Sequence, residues 1–260
     1  MTAEMGGLKG AVALVTGSSS GAGAQIAKVL AQHGASVAIH CRGNLAAAEA
    51  VAADISATGG KAACFRADLA KATEARRLAT EVTDKLGIVT VLVNNAGPFA
   101  DTPYLALEAH DWDTILAANL KAPYLLTQAM APKMIQRGWG RIINIGATSA
   151  LVRTHSVYGL AKAALLHLTE SLALELAPAV TVNAVVSSQI ASARTDRMPA
   201  YKSAAISGTP LRRLVTEHEI ARMVAIMCSS DFDFVTGRSI IMDGGRTIPR
   251  FPKLGAIPEG

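Results

Sequence analysis

The chain has 260 residues, half of them hydrophobic, and a formal net charge of +5. This length and apolar content fit one α/β domain with a large core and argue against a disordered chain. The basic residues are scattered without a dense run or an aromatic RNA-binding motif, so we expect no nucleic-acid partner. We expect a cytoplasmic protein without a membrane partner, because no signal-peptide pattern or uninterrupted apolar span is present.

The cysteines and histidines point to neither disulfides nor a metal. Cys41, Cys64 and Cys228 are odd in number and widely spaced in apolar surroundings, which indicates free thiols in a reducing compartment. The six histidines show no paired ligand spacing. We therefore expect no catalytic metal.

Short apolar runs alternate with longer helical patterns, as in βαβ units that build a parallel sheet. The predicted strands are 11–16, 36–41, 61–67, 89–95, 141–146, 180–186 and 239–243. The predicted helices are 21–32, 45–57, 73–86, 112–136, 158–176 and 217–228. The pattern predicts an α/β, single-domain Rossmann fold over residues 1–260, with a doubly wound seven-stranded parallel sheet and helices on both faces.

Two segments match no predicted element: residues 187–213 and the C-terminal tail 246–260. A long insertion after the C-terminal end of a strand lies over the ligand crevice of such a sheet. We expect 187–213 to be a substrate lid, and an ordinary surface excursion is the alternative.

The first strand runs into the glycine-rich stretch "TGSSSGAG", residues 16–23. Glycines there allow a sharp turn and a close approach of the backbone to a phosphate at a helix N-terminus. A tight packing turn without a ligand is the alternative. The residues expected to bind the pyrophosphate of a cofactor are Gly17, Ser19, Ser20, Gly21, Ala22 and Gly23.

The end of the second strand bears on the choice of cofactor. A cofactor with a free ribose 2'-hydroxyl calls for an acid there, but the sequence is "HCRGN" and offers Arg42. A guanidinium suits a 2'-phosphate, so NADP(H) is favoured over NAD(H), unless Arg42 is only a solvated loop residue. Asp68, followed by Leu69, is placed to accept from an adenine amino group or to cap the next turn.

Tyr158 and Lys162 are four residues apart, so a helix places them on one face. We expect the ammonium to lower the tyrosine pKa from about 10 toward neutrality, as proton transfer to a carbonyl requires. The tetrapeptide "NNAG" at 94–97 is by itself a turn signal whose amides could support the sheet edge.

Taken in order, "TGSSSGAG", "NNAG", Asn119, "YGLAK", "VNAV" and "FVTGRSIIMDGG" resemble the short-chain dehydrogenase/reductase family over residues 8–246. The resemblance implies an NAD(P)(H)-dependent oxidoreductase of small carbonyl or alcohol substrates, commonly a homotetramer, with a homodimer also possible for this chain. It implies that Tyr158 is the general acid/base, that Lys162 holds the ribose and lowers the tyrosine pKa, and that Asn119 keeps a water for proton relay. The resemblance further implies cofactor contacts by Asn95, Ala96, Gly97, Tyr158, Lys162 and Ile190.

The chain departs from the family pattern where a catalytic serine is expected, because Ala147 stands there. The loop up to Tyr158 is about two residues shorter than usual for the family, so Thr148 and Ser149 are candidates for the missing hydroxyl. The usual proline-glycine after strand six is Ser187-Ser188. The pattern is similar to 3-oxoacyl-carrier-protein reductases, and partly to pteridine reductases, which lack the serine but carry an aspartate there.

Three hypotheses follow. The first is an NADP(H)-dependent carbonyl reductase or alcohol dehydrogenase, and the second is a cofactor-binding protein of the same fold with a regulatory or scaffold role. The third, which rests only on the net charge, is a protein that binds nucleic acid or a membrane surface. Only the first uses Tyr158, Lys162 and Asn119 together. Charged residues near the expected crevice indicate an anionic or phosphopantetheine-bearing substrate, unless they are solvated loop charges. They are Arg153, His155, Arg194 and Arg197.

Overall fold

Seven parallel strands form the central sheet in the order β3-β2-β1-β4-β5-β6-β9 in a computed structural model that describes residues 7–152 and 156–249. The strands of this sheet are β1 (Val12–Val15), β2 (Ser36–Cys41), β3 (Lys61–Arg66), β4 (Val91–Asn94), β5 (Gly140–Ala147), β6 (Val180–Ser187) and β9 (Ser239–Met242). A separate two-stranded ribbon pairs β7 (Ile190–Ala191) with β8 (Val215–Thr216). The predicted doubly wound sheet is confirmed.

Helices cover both faces of the sheet. They are α1 (Gly21–Gln32), α2 (Leu45–Ala57), α3 (Ala72–Leu86), α4 (Ala109–Leu116), α5 (Ala122–Gln136), α6 (Val157–Leu176), α7 (Ala193–Asp196), α8 (Pro199–Ser207) and α9 (Glu217–Cys228). Alternate side chains of β1 enter different cores: Ala13 and Val15 pack with α1, α2 and α9, whereas Leu14 packs with α3, α5 and α6. Burial on both faces explains why the strands read as continuous apolar runs.

The strand order reverses between β1 and its neighbours β2 and β4. In an open α/β sheet this reversal leaves a crevice at the C-terminal ends of the strands, where ligands bind. Thr16, Asn95 and Ala147 lie at those ends, directly after or at the last residues of β1, β4 and β5.

The prediction of one helix over 112–136 is wrong. α4 begins earlier, at Ala109, and a π-helical turn (Ala117–Lys121) separates it from α5. Pro123 lies in the first turn of α5 and has no N–H to donate into a continuous helix, and the wider turn accommodates it. The same turn carries Asn119.

The segment 187–213 is more ordered than the sequence predicts. It contains the end of β6, the strand β7 and the helices α7 and α8. Ser192 and Thr195 form a reciprocal capping box on α7, and Pro199 begins α8 where a helix tolerates proline. Of the predicted tail, residues 250–260 lie outside the described residues.

Cys41, Cys64 and Cys228 are free thiols, as predicted. Within residues 7–152 and 156–249, no helix combines the length and apolar character needed to cross a membrane.

Candidate active site

The glycine-rich loop after β1 uses its glycines for two different purposes. Gly17 and Gly21 have φ values of 63° and 60°, in the left-handed region that favours glycine. Gly23 is needed for space, because a Cβ atom there would lie 2.3 Å from the carbonyl oxygen of Gly17. The loop therefore folds back on itself as α1 begins.

Thr16 connects this loop to the residues after β4. Its Oγ1 accepts from the backbone N–H groups of Asn95 and Ala96, both at 2.9 Å, and donates to the carbonyl of Val93 at 3.3 Å. Asn95 returns its amide, whose Nδ2 donates to the carbonyls of Thr16 at 2.9 Å and Gly17 at 3.1 Å. The "NNAG" turn thus fixes the glycine loop through side chains as well as backbone.

His40 and Ser18 hold the other side of the loop against β2. The N–H of Gly17 donates to His40 Nδ1 at 2.9 Å, and His40 Nε2 lies 3.0 Å from the carbonyl of Ala67. Because a carbonyl only accepts, Nε2 carries the proton and the ring is neutral. Burial lowers the pKa of His40 below its ordinary 6.5, and the hydrogen bond to Ala67 opposes this shift. Ser18 Oγ accepts from the N–H of His40 at 3.0 Å and donates to the carbonyl of Val15 at 2.7 Å.

Thr16, Ser18 and His40 are not among the site residues predicted from the sequence. All three are buried. A signal was present, since polar residues at the ends of otherwise apolar strands need buried hydrogen-bond partners.

The start of α1 fits the pyrophosphate of a dinucleotide. The side chain of Ser20, the N-cap residue, makes no capping hydrogen bond. Ser20 and Gly21 are exposed, and Ser19 and Ala22 are half-buried. Uncapped N–H groups at a helix N-terminus bind anions, and the glycine at 23 leaves no side chain in the way.

Two arginines lie at the ends of β2 and β3. Arg42 follows Cys41, which pairs with Arg66 across the two strands, and both arginines are exposed. Among the described residues, the side chain of Arg42 has no hydrogen-bond or ion-pair partner. Its guanidinium is free to bind an anion at the position where the sequence predicts a 2'-phosphate. Arg66 adds a second cation that the sequence analysis did not consider.

Asp68 has the turn-capping role that was its alternative interpretation. Its Oδ1 accepts from the N–H of Ala70 at 3.2 Å, and its backbone carbonyl accepts from Lys71 at 2.9 Å. Leu69 is buried. An adenine contact by Asp68 stays a prediction.

A buried chain of hydrogen bonds positions α6 on the sheet. Asn94 Nδ2 donates to Asn144 Oδ1, Asn144 Nδ2 donates to Thr169 Oγ1, and Thr169 Oγ1 donates to the carbonyl of Leu165, each at 2.8 Å. This chain joins β4, β5 and α6. The helix that carries Tyr158 and Lys162 is therefore fixed relative to the strand ends.

Lys162 is buried, and its Nζ donates to the carbonyl of Ile145 at 2.8 Å and lies 5.6 Å from the centroid of the Tyr158 ring. Burial lowers the pKa of Lys162 to about 8. Burial also raises the pKa of Tyr158 to about 12, while the positive charge of Arg194 opposes the rise. The expected lowering of the tyrosine pKa by Lys162 is thus not what this geometry gives, because desolvation of the phenol dominates. A phenol with this pKa is protonated at neutral pH, the state needed to donate a proton.

Asn119 packs against the "NNAG" turn. Its Nδ2 donates to the carbonyls of Pro98 and Ile115, both at 3.1 Å. A Cβ atom at Gly97 would lie 2.0 Å from Asn119 Oδ1, so only glycine fits there. This Oδ1 is buried and, among the described residues, has no hydrogen-bond partner.

The two candidates for the missing hydroxyl lie on a single 3-10 turn (Thr148–Ala150) that directly follows Ala147 and packs on α6. Thr148 is buried, and its carbonyl accepts from Leu151 and Val152. Ser149 Oγ is buried without a hydrogen-bond partner in the described part of the chain. No hydrogen bond between the described residues joins either hydroxyl to Tyr158.

The segment 187–213 contributes Ile190 and Arg194 to this edge of the sheet. Ile190 is half-buried in the ribbon, and the Arg194 guanidinium lies 5.0 Å from the centroid of Phe99. Arg197 instead donates to the carbonyl of Ala193 at 3.1 Å. Arg153 and His155 lie outside the described residues.

Known proteins resemble this chain over almost its full length. The family model described as Enoyl-(Acyl carrier protein) reductase matches residues 17–247. The 3-oxoacyl-[acyl-carrier-protein] reductase FabG of Staphylococcus aureus (strain Mu50) is 35% identical over 237 residues, which are 90% of this chain and 96% of that protein.

Solved structures share the fold at similar identity. A short-chain type dehydrogenase/reductase from Mycobacterium marinum superposes with a TM-score of 0.88 at 30% identity, covering 95% of this chain and 99% of that one. A gluconate 5-dehydrogenase from Burkholderia cenocepacia J2315, solved with NADP and tartrate, has a TM-score of 0.86 at 30% identity and covers 94% and 98% of the two chains.

Proposed function

We propose a specific chemistry for this chain, which belongs to the short-chain dehydrogenase/reductase family and is an oxidoreductase that uses a nicotinamide cofactor on carbonyl or alcohol groups. In the proposal it is an NADP(H)-dependent carbonyl reductase whose proton donor is Tyr158. The observation that carries this proposal is the placement of Tyr158 beside buried Lys162 on α6, at the same sheet edge as the phosphate loop.

NADP(H), when bound, supplies the hydride that reduces a carbonyl carbon. Tyr158 donates its phenolic proton to the carbonyl oxygen as charge develops there. With the cofactor bound, the Lys162 ammonium would hold the nicotinamide ribose and would stabilise the phenolate left after proton transfer. Asn119 offers its unpartnered Oδ1 to a water that returns a proton from solvent.

Ser149 is proposed to take the place of the serine that Ala147 lacks. Its hydroxyl is buried and unpartnered among the described residues, and it lies on the turn that packs against the helix of Tyr158. A donor at that place would stabilise the developing negative charge on the substrate oxygen. Thr148 is the second candidate.

The preference for NADP(H) over NAD(H) rests on charge. Arg42 and Arg66 place two cations at the ends of β2 and β3. A similar structure, the gluconate 5-dehydrogenase, was solved with NADP. A ribose 2'-phosphate would be held by the Arg42 fork, and the phosphates of the cofactor by the loop from Gly17 to Gly23.

We also propose that the chain forms a homodimer or homotetramer in the cytoplasm. Large apolar side chains are exposed on the outer faces of α5 and α6, among them Tyr124, Leu160 and Leu174, the last 84% exposed. Such surfaces are typical of protein interfaces. Light scattering of the purified protein would give the number of subunits, and a monomer would contradict this part of the proposal.

The central experiment compares wild type with Tyr158→Phe on a panel of 3-oxoacyl thioesters, quinones, pterins and ketosugars with NADPH. We expect kcat to fall by about 10²–10⁴-fold, because a general acid contributes that much, while NADPH affinity is unchanged. Tyr124→Phe, on the exposed surface of α5, is the matched control and should retain full activity. Tight NADPH binding without turnover of any carbonyl would favour the regulatory or scaffold role instead.

A further inference from the structure

We propose that Arg194 binds a carboxylate of the substrate close to the reacting carbonyl, so that the substrates are small oxo acids and, in reverse, hydroxy acids. This inference rests on the proposed function and adds the substrate class. It makes Arg194 a substrate-binding residue.

The position of Arg194 relative to Tyr158 is set by Phe99. The guanidinium carbon lies over the Phe99 ring, 5.0 Å from its centroid. The same ring meets Tyr158 edge to face, with 5.1 Å between the ring centroids and 69° between the planes. The cation is therefore within about 10 Å of the Tyr158 ring. Its charge opposes the burial-driven rise in the pKa of Tyr158, so its field reaches the phenol.

The charge of Arg194 is available to a ligand. Among residues 7–152 and 156–249, no carboxylate or hydrogen-bond acceptor pairs with its side chain. Neighbouring charges on the same segment are already used: Lys202 pairs with Asp196 at 2.7 Å, and Arg197 donates to a backbone carbonyl. An unpaired guanidinium stacked on one aromatic face keeps the N–H edge free, and this edge matches the two oxygens of a carboxylate.

The backbone that carries Arg194 is held in place. Thr195 is buried, its Oγ1 donates to the carbonyl of Ile190 at 3.1 Å, and its N–H donates to Ser192 Oγ at 3.4 Å. Ile190 in turn pairs with Val215 in the ribbon. The backbone at this position is thus ordered before a ligand binds, so less loop ordering remains to be done on binding.

The partially exposed ring of Phe99 completes the arrangement. Phe99 is 48% exposed and contacts both the Arg194 guanidinium and the Tyr158 ring. A substrate that spans from Tyr158 to Arg194 would lay its short carbon chain on this apolar surface. The spacing favours an anion a few bonds from the carbonyl, in the same small molecule, over a phosphate at the far end of a long carrier arm.

The test uses a matched pair of substrates, 3-oxobutanoate and its ethyl ester, which share the reacting carbonyl and differ in the negative charge. In Arg194→Gln we expect the KM for the acid to rise by about tenfold or more, as loss of a charged hydrogen bond predicts, with little change for the ester. Arg197→Gln, on the same exposed segment, should leave both values unchanged. Equal effects on acid and ester, or none in Arg194→Gln, would overturn the inference.

A binding measurement separates this inference from the proposed function. Calorimetric titration of the NADPH-bound enzyme with 3-hydroxybutanoate, and then with its methyl ester, reports carboxylate binding without turnover, because a reduced cofactor cannot oxidise the hydroxy acid. Selective loss of the acid's affinity in Arg194→Gln supports the anion site even if no carbonyl is reduced. Conversely, Tyr158-dependent reduction of neutral ketones with unchanged acid binding in Arg194→Gln would uphold the reductase and refute the substrate class.

Discussion

The glycine loop and the proton-transfer end of α6 lie at the same edge of the sheet, yet their buried polar groups differ. At the loop, Thr16, His40 and Asn95 each use their side chains in at least two polar contacts with the backbone. At the proton-transfer end, Asn119 Oδ1 and Ser149 Oγ are buried without partners among the described residues.

We interpret the glycine loop, with Thr16, His40 and Asn95, as a rigid frame for cofactor binding. Asn119 and Ser149 are instead the groups proposed to act in the reaction. A buried polar atom without a partner costs about 1–3 kcal/mol. Pre-formed hydrogen bonds at the loop hold its backbone ready for phosphate. Under the proposed function, the partners of Asn119 Oδ1 and Ser149 Oγ would be a water and the reacting oxygen.

Of the variants that test this comparison, Ser149→Ala should cause the largest loss of activity. If its hydroxyl binds the developing oxyanion, kcat falls by about 10²-fold or more. The free energy of unfolding should stay constant or rise slightly, since the substitution removes a buried unpaired group. Steady-state kinetics and urea unfolding check both statements. If Thr148→Val loses the activity and Ser149→Ala does not, the hydroxyl partner is Thr148.

Thr16→Val should instead weaken the attachment of the glycine loop to the residues that follow β4. The N–H groups of Asn95 and Ala96 lose their acceptor, and we expect the free energy of unfolding to fall by about 2–4 kcal/mol and NADPH to bind more weakly. Thr90→Val is the matched control at the opposite end of the sheet. Thr90 is also buried, but its Oγ1 has no partner in the described chain, so its loss should cost little. Equal destabilisation by both variants would show that the Thr16 contacts do not matter.

Arg42→Ala tests which of the two nicotinamide cofactors is preferred at the adenosine end of the site. We expect the KM for NADPH to rise by about tenfold while the KM for NADH stays the same, because only the 2'-phosphate is charged there. Arg76→Ala removes an exposed arginine from α3 and serves as the charge control. An equal change for both cofactors in Arg42→Ala would refute the NADP(H) assignment.

His40 should make the folding stability of the protein depend on pH in the acid range. Its pKa is lowered in the folded state, so the unfolded chain takes up the proton first as the pH falls below 6.5. Stability is then complete above that value and decreases below it by at most about 1.4 kcal/mol per pH unit, until the folded-state pKa is reached.

Unfolding free energies between neutral pH and about pH 5 test this expectation, within the ordinary titration range of histidine. His40→Asn keeps an acceptor for Gly17 but does not titrate, and should lose this component of the pH dependence. His167→Asn, at an exposed site, should keep it. A wild-type profile identical to that of His40→Asn would contradict the assigned role.

The sheet could be predicted because its signal is local. Apolar runs and helical periodicities placed the seven strands within about two residues of their observed ends, as expected of segments buried on both faces. The π-helical turn before α5 could not be predicted in this way. The apolar pattern continues through it, and Pro123 is tolerated in the first turn of a helix, so the pattern does not show where the helix widens.

The site was predicted unevenly for the same reason. The four-residue spacing of Tyr158 and Lys162 was sufficient to place both on one helix. Their pKa shifts follow from burial, and the spacing gave the wrong direction for the tyrosine. His40 was missed because its function depends on Gly17 and Ala67, which reach it from neighbouring strands.

The ribbon of β7 and β8 bears on the order in which cofactor and substrate bind. β8 runs directly into α9, whose first residue, Glu217, has its Oε1 3.6 Å from where a Cβ atom at Gly21 would be. The segment that carries Arg194 is therefore joined through one short strand pair to the helix that borders the phosphate loop. Because this connection would pass from the cofactor site to the substrate segment, we expect the reduced nicotinamide cofactor to enter before the carbonyl compound and the oxidised cofactor to leave last.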